Sequence, residues 1–175
     1  MVCSCSKNKE IDFKGKKGKL KGIMKVIFLD VDGVMNSIHN EWLDLKCVDN
    51  LHMIVKATGA KVVITSSWRD GWYKEEEKKY LVSPEMAALE NAMNELGMGI
   101  YDKTRPQRTG VMDFRGNQIK DYLLEHKDEM ESFVIIDDLF FPDFGPLQDW
   151  LVLTDYDEGG LTVEKAQEAI YILNK

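Results

Sequence analysis

The chain has 175 residues, of which 44% are hydrophobic and 30% charged, and its formal net charge is −7. This length and composition indicate one compact domain with an ordinary core and exclude a fully disordered chain. The negative charge argues against general binding of nucleic acid over the whole surface. No apolar segment approaches the ~20 residues that a membrane-spanning helix requires, so we expect no membrane partner.

The start of the chain differs in composition from the remainder. Residues 1–25 hold eight Lys against Glu10 and Asp12 and are otherwise rich in Gly. We expect residues 1–22 to form a flexible basic tail ahead of a folded domain over 23–175. A solvated tail and an arm that contacts RNA, DNA or acidic lipid both agree with this composition.

The cysteine count indicates a reducing environment. The chain contains Cys3, Cys5 and Cys47, an odd number with two members in the expected tail. Such a set provides no disulfide framework, so we predict a cytoplasmic protein.

Apolar strands alternate with amphipathic helices along the rest of the chain. In chain order we predict strands and helices over 25–30 (strand), 48–57 (helix), 61–65 (strand), 83–97 (helix), 98–101 (strand), 116–127 (helix), 133–136 (strand), 151–153 (strand), and a last helix capped by Thr162. This alternation is typical of a single Rossmann-like α/β domain, with a mostly parallel sheet and helices on both faces.

Polar side chains follow three of the predicted strands. They are Asp30 and Asp32, then Thr65 and Ser66, then Asp137 and Asp138. Ligands of parallel sheets bind beyond the carboxyl ends of the strands, so we expect these groups to meet there. Because clustered carboxylates disfavour one another's ionisation, the pattern predicts a bound hard divalent cation, Mg²⁺, which suits a phosphate substrate.

Three sequence motifs carry a resemblance to a known superfamily. The segment VIFLDVDGVMN resembles the first motif of the haloacid dehalogenase (HAD) superfamily of phosphohydrolases, KVVITSS is similar to the second, and FVIIDD resembles the fourth. The resemblance covers residues 25–155. More narrowly, SSWR, RGNQIKDYL, VIIDD and TDYDEGGLT are similar to HAD domains associated with RNA-repair proteins. The resemblance implies a HAD-type phosphatase, a phosphoric monoester hydrolase.

The resemblance also assigns roles to the acidic residues. Asp30 would be the nucleophile that forms an aspartyl-phosphate, and Asp32 would protonate the leaving oxygen and then activate water. Mg²⁺ would be held by the Asp30 carboxylate, the main-chain carbonyl of Asp32 and Asp138, with Asp137 as the support of Asp138.

The second motif supplies candidate phosphate contacts. Thr65 would bind the transferring phosphoryl group, and the Ser66 N–H would add a donor. Arg69 is either a second phosphate contact or a surface residue. Trp68 and Trp72 either line the mouth of the site or pack in the core.

The cation of the third motif has three candidates. The family places a Lys or Arg near the start of the helix that precedes the fourth motif. Arg115, 22 residues ahead of Asp137, is the preferred candidate. Lys120, within the predicted helix, and Lys103 are the alternatives, and Lys120 is also a candidate substrate contact.

The spacing of the motifs bears on the substrate. The segments between them leave no room for a full cap domain, so we expect an open site for a phosphorylated substrate such as an RNA or DNA terminus. The Lys-rich tail, Arg69, Arg105 and Arg108 would suit a polyanion, and a small nucleotide also fits.

Two alternatives of other classes remain open at this stage. A phosphoacceptor receiver-like signalling domain also joins acids and a Thr on a parallel sheet, although its acidic residues come in another order. A binding module that keeps the HAD fold without catalysis is the other.

Overall fold

Five parallel strands form one sheet in the computed structural model, which describes residues 23–73, 83–106 and 114–175. The strands are β1 (Met24–Leu29), β2 (Lys61–Ile64), β3 (Ile100–Lys103), β4 (Met130–Asp137) and β5 (Leu151–Leu153). Their order across the sheet is β3-β2-β1-β4-β5. The basic tail expected over residues 1–22, and Arg108, lie outside the described residues.

The central strand β1 is apolar because both of its faces are covered. Val26, Ile27, Phe28 and Leu29 are fully buried, between β2 on one side and β4 on the other. A strand buried on both faces is continuously apolar rather than alternating, which is why the pattern of its sequence is so clear.

Helices cover the two faces of the sheet. The helices α1 (Leu45–Thr58), α2 (Pro84–Glu95) and α4 (Val163–Leu173) pack against the face that contains Ile27 and Leu29. Helix α3 (Arg115–Glu125) and a 3₁₀ segment, Pro142–Trp150, cover the opposite face. The prediction of a single Rossmann-like α/β domain is therefore confirmed.

The third strand lies two residues later than predicted. The pattern places it over 98–101, whereas β3 spans Ile100–Lys103. Met98 lies beyond the end of α2 and is held against it, because its N–H donates to the Met93 carbonyl at 2.9 Å and its side chain is buried in the core. As a result Lys103 stands at the carboxyl end of the sheet.

The connections near the site are short in the part of the chain that the structure describes. Residues 31–44, which we call the flap, and α1 join β1 to β2, and a 3₁₀ turn, Ser67–Gly71, follows β2. The described residues of these connections contain no second domain. None of the described helices combines the length and apolar character needed to cross a bilayer.

Candidate active site

Three strand ends lie side by side at one edge of the sheet. The N–H of Asp30 donates to the Ile136 carbonyl at 2.9 Å, and the N–H of Thr65 donates to the Leu29 carbonyl at 2.8 Å. These hydrogen bonds extend the ladders of β1, β2 and β4 beyond the strands themselves. They bring Asp30, Thr65 and Asp137 together at the carboxyl edge, where parallel sheets bind ligands.

Three carboxylates form a compact cluster at this edge. One carboxylate oxygen from each of Asp30, Asp137 and Asp138 lies within 4.8 Å of the other two. Asp30 and Asp137 are buried, and Asp138 is half-buried. Clustered oxygen donors of this kind are the ligands that Mg²⁺ prefers, so the cluster could hold a divalent metal ion.

The flap approaches the cluster through a glycine. Gly33 has a φ of +69°, in the left-handed region that favours glycine. A Cβ atom at this position would overlap the Asp138 carboxylate. The last residue of the DVDG motif therefore has a steric role, because it leaves room for the acidic side chain opposite.

Arg115 bridges the buried acids from the first residue of α3. Its Nη1 atom lies 2.7 Å from Asp137 Oδ2, in a hydrogen bond, and 2.7 Å from Asp30 Oδ1, in an ion pair. Phe141 packs against the guanidinium, 4.8 Å from its ring centroid to Cζ. Burial disfavours the charged guanidinium, but the two carboxylates more than offset this effect and raise the pKa of Arg115.

Burial also changes the titration of the acids. It raises the pKa of Asp30, and the nearby Arg115 offsets this only in part. Burial and the charge of Asp30 raise the pKa of Asp137 to about 7 and also raise that of Asp138. Carboxylates that resist ionisation in this way gain from a neighbouring cation, which supports the fit of a metal ion.

The two acids of the FVIIDD motif have different surroundings. Asp137 accepts hydrogen bonds with both oxygens, from the Leu139 N–H at 3.0 Å and from Arg115. Asp138 lies against Gly33 at the more exposed side of the cluster. This arrangement fits Asp138 as the metal ligand and Asp137 as its support, an assignment that stays a prediction.

Asp32 is exposed and held at the rim of the site by two neighbours. It accepts hydrogen bonds from the Trp68 indole N–H at 3.0 Å and from the Asn36 amide at 3.3 Å. Asn36 also accepts the Gly33 N–H at 2.7 Å, so its side chain binds the last two residues of the DVDG motif. Sequence reasoning gave Asn36 no role, although it lies inside the first motif.

The hydroxyl of Thr65 is positioned to bind a substrate oxygen. Its Oγ1 atom is buried and has no hydrogen-bond partner among the described residues. The neighbouring Ser66 hydroxyl accepts the Trp68 N–H at 3.3 Å and so begins the 3₁₀ turn. A buried unpaired hydroxyl costs free energy, and a phosphate oxygen would satisfy it.

A family model described as the HAD domain in Swiss Army Knife RNA repair proteins matches residues 26–166. The chain belongs to this family. The resemblance inferred from the sequence motifs is thereby confirmed, and the HAD domain indicates a hydrolase of the phosphatase-like class. No curated protein and no solved structure shows a significant match to the chain.

Two other cations of the HAD domain support its loops. The Arg69 guanidinium is buried and donates to the main-chain carbonyls of Thr65 and, at 3.1 Å, Ser66. Lys103 Nζ donates to the carbonyls of Arg69 at 2.8 Å and Trp72 at 2.6 Å. These contacts give both residues a part in holding the loop after β2, and their direct roles toward substrate stay predictions.

The remaining candidates of the HAD domain lie in several settings. Lys120 Nζ donates to the Asp143 carbonyl at 3.3 Å. Trp72 is buried in the core, as the packing alternative expects, whereas Trp68 is half-buried and touches Asp32. Arg105 pairs with Glu125 at 3.1 Å.

Asp143 caps the helix that carries Arg115. Its Oδ2 atom accepts the Asn117 N–H at 2.7 Å, while Phe114, at the N-cap position, makes no side-chain cap. Gly116 permits this approach, since a Cβ there would overlap Asp143. No local sequence signal marks this cap, because the capping residue lies 26 positions from the group it binds.

Proposed function

We propose that this protein is a Mg²⁺-dependent phosphomonoester hydrolase that works through an aspartyl-phosphate on Asp30. The observation that carries the proposal is the bridge from Arg115 to both Asp30 and Asp137, 2.7 Å each, beside Asp138 and the unpaired Thr65 hydroxyl. An anionic nucleophile approaches an anionic phosphate only where positive charge and hydrogen-bond donors offset their repulsion.

The residues present fit a magnesium ion. Asp30 and Asp138 would hold it, together with the main-chain carbonyl of Asp32, while Arg115 and the Leu139 N–H keep Asp137 in place behind them. When bound, the ion would neutralise phosphate charge and orient the phosphoryl group.

Two displacements at phosphorus complete the proposed reaction. An Asp30 oxygen attacks phosphorus, the bond to the leaving oxygen breaks, and Asp32 gives that oxygen a proton. Asp32 then takes a proton from water, whose oxygen attacks phosphorus and releases Asp30 and inorganic phosphate. Arg115 and Thr65 stabilise the charge on the phosphoryl oxygens in both steps. Transfer to an alcohol instead of water would follow the same route.

We infer that the substrate is a nucleotide or the phosphorylated end of a nucleic acid. The family is described by its occurrence in RNA repair proteins, and the described connections around the site contain no cap domain. A site of this kind admits a phosphate attached to a large molecule.

A panel of phosphomonoesters tests the proposal. We expect turnover of mononucleotides and of 5′- and 3′-phosphorylated oligonucleotides that requires Mg²⁺, and its loss in Asp30→Asn. The control is Asp49→Asn, which neutralises an exposed acid on α1. In a rapid quench, ³²P from labelled substrate should appear on wild-type protein and be absent from Asp30→Asn.

Two results would overturn the proposal. Metal-dependent turnover that survives in Asp30→Asn would remove the nucleophile. A folded wild-type protein that binds phosphorylated RNA without any Mg²⁺-dependent turnover would support the non-catalytic binding module instead.

A further inference from the structure

The flap holds an exposed tryptophan in a fixed position near the site. Trp42 is 51% exposed, which is unusual for the largest apolar side chain. The flap around it is ordered by a hydrogen bond between the Ser37 and Asp44 side chains at 2.9 Å and by one from the Ile38 N–H to the Tyr156 carbonyl at 3.1 Å. Trp42 is therefore presented to solvent from a well-braced loop.

Trp42 forms a pair with Trp68 beside a proposed catalytic residue. The two ring centroids are 6.3 Å apart and the ring planes are inclined at 53°. Trp68 donates its indole N–H to Asp32 Oδ2 at 3.0 Å. Because the rings are not stacked face to face, the half-exposed ring of Trp42 leaves a surface on which another planar group could pack.

The reaction determines which part of a substrate would reach this pair. Asp32 protonates the leaving oxygen in the proposed mechanism, so the leaving group lies next to Asp32. The indole that contacts Asp32 belongs to the aromatic pair. In a nucleotide substrate the leaving group is the nucleoside, which carries a planar base.

The charge of the flap favours stacking over phosphate contacts. Residues 31–44 contain Asp32, Glu41 and Asp44 but neither Lys nor Arg. A surface without cations gives little affinity for a long phosphate backbone. Stacking of a base on an aromatic ring needs no such charge and accepts every base.

We propose that Trp42 and Trp68 form a stacking subsite for the base of the nucleotide whose phosphate is removed. The proposal rests on the proposed phosphatase function and gives that site its substrate class. It makes Trp42 a specificity-determining residue, since a substrate without a base would lose this contact.

The test compares two 5-phosphates of ribose, one that carries a base and one in which a hydroxyl replaces it. The ratio of kcat/KM for adenosine 5′-monophosphate to that for ribose 5-phosphate measures the contribution of the base. We expect Trp42→Ala to lower this ratio on the order of tenfold, as removal of a stacking ring does elsewhere, and Trp42→Phe to lower it less.

The control replaces an exposed aromatic residue at the other end of the molecule. Tyr171 is 67% exposed on α4, close to Leu173, whose carbonyl accepts the Ser132 hydroxyl near the start of β4. Tyr171→Ala should leave the ratio unchanged. Circular dichroism and thermal melting would verify that each variant is folded.

A second arm distinguishes a free nucleotide from a nucleic-acid end. A 5′-phosphorylated oligonucleotide is compared with one whose terminal nucleotide is abasic. If Trp42 contributes to the preference for adenosine 5′-monophosphate over ribose 5-phosphate, free nucleotides are the substrates. If it contributes only to the preference for the intact oligonucleotide over the abasic one, nucleic-acid ends are the substrates.

The outcomes separate this inference from the proposed function. If wild-type protein turns over these substrates and Trp42→Ala leaves both ratios unchanged, the subsite is wrong and the phosphatase stands. If nothing is turned over, the phosphatase is wrong, and calorimetric binding of adenosine 5′-monophosphate and ribose 5-phosphate decides the subsite. Equal affinities for the two ligands, or an unchanged affinity for adenosine 5′-monophosphate in Trp42→Ala, would then overturn the proposed stacking subsite.

Discussion

At the scale of single residues, the site depends on close approaches that only one side chain permits. Arg115 has two acids within 2.7 Å of the same nitrogen, and this shared contact keeps Asp30 and Asp137 close without an uncompensated pair of buried charges. Gly33 leaves the space that the Asp138 carboxylate occupies. The position of Arg115 and the missing side chain of Gly33 therefore determine where the three carboxylates of the cluster lie.

The space at Gly33 gives a prediction with a matched control. In Gly33→Ala the Cβ displaces Asp138, so we expect the Mg²⁺ concentration needed for half-maximal activity to rise by about 10- to 100-fold. The left-handed backbone adds a destabilisation of ~1–2 kcal/mol. Gly59 has the same φ of +69°, but a Cβ at this position would meet nothing within 4 Å. The control variant Gly59→Ala should therefore lose similar stability and keep the Mg²⁺ requirement of the wild-type protein. Equal Mg²⁺ dependence in the two variants would contradict the steric role.

At the scale of elements, helix α3 orients the site cation. Its first residue is Arg115, and its first turn is capped by Asp143, from the 3₁₀ segment Pro142–Trp150, rather than by its own N-cap residue. A helix end whose N–H groups are satisfied is better ordered than one that frays. The position of the guanidinium therefore depends on a contact between two elements.

Removal of this cap should lower both stability and kcat, whereas removal of the cap of another helix should lower stability alone. Asp143→Ala should lower the free energy of unfolding by ~1 kcal/mol. It should also reduce kcat by about tenfold or more, because a small shift of a catalytic group has a large effect on rate. Asp143→Asn keeps an acceptor oxygen and should retain most activity. Ser83→Ala removes the cap of α2, where Ser83 Oγ accepts the Met86 N–H, and should cost similar stability without affecting kcat. Unfolding curves and steady-state kinetics on the three variants check this, and equal kcat in Asp143→Ala and Ser83→Ala would refute it.

At the scale of the whole molecule, the acidic cluster couples folding to pH and metal. Burial raises the pKa of Asp137 from its ordinary value of 3.8 to about 7. Between these two pH values, the Asp137 carboxyl of the folded state therefore keeps a proton that it releases in the unfolded state. The resulting stabilisation is complete below pH ~4 and is lost as the pH rises through about 7.

This coupling predicts a pH-dependent response to Mg²⁺. When the pH is raised from 5.5 to 8, the melting temperature of the metal-free wild-type protein should fall on the order of a few °C more than that of Asp137→Asn. Mg²⁺ competes with protons for the carboxylates, so it should raise the melting temperature more at pH 8 than at pH 5.5. Thermal melts in EDTA and in Mg²⁺ at both pH values measure this. A Mg²⁺ shift of equal size at both pH values would show that the cluster does not bind the ion.

Much of the architecture could be predicted from local pattern. The runs at 25–30, 61–65 and 133–136 are apolar because strands inside the sheet are buried on both faces. The Asp, Thr and Asp-Asp at their carboxyl ends lie at the predicted edge. The pattern was wrong by two residues for β3, because the apolar residue Met98 follows the end of α2 and is bound to it by a main-chain hydrogen bond instead of starting the strand. It also missed the 3₁₀ segment Pro142–Trp150, which has no regular apolar period.

The sequence by itself determined the family, the sheet and the candidate acids, since these depend on short-range apolar periodicity and on contiguous motifs. Only the tertiary structure decided which of Arg115, Lys103 and Lys120 contacts the acids, that Asp143 caps α3, and that Trp42 meets Trp68. The physical reason is that these contacts join residues far apart in the chain, and their geometry follows from how helices and loops pack on the sheet.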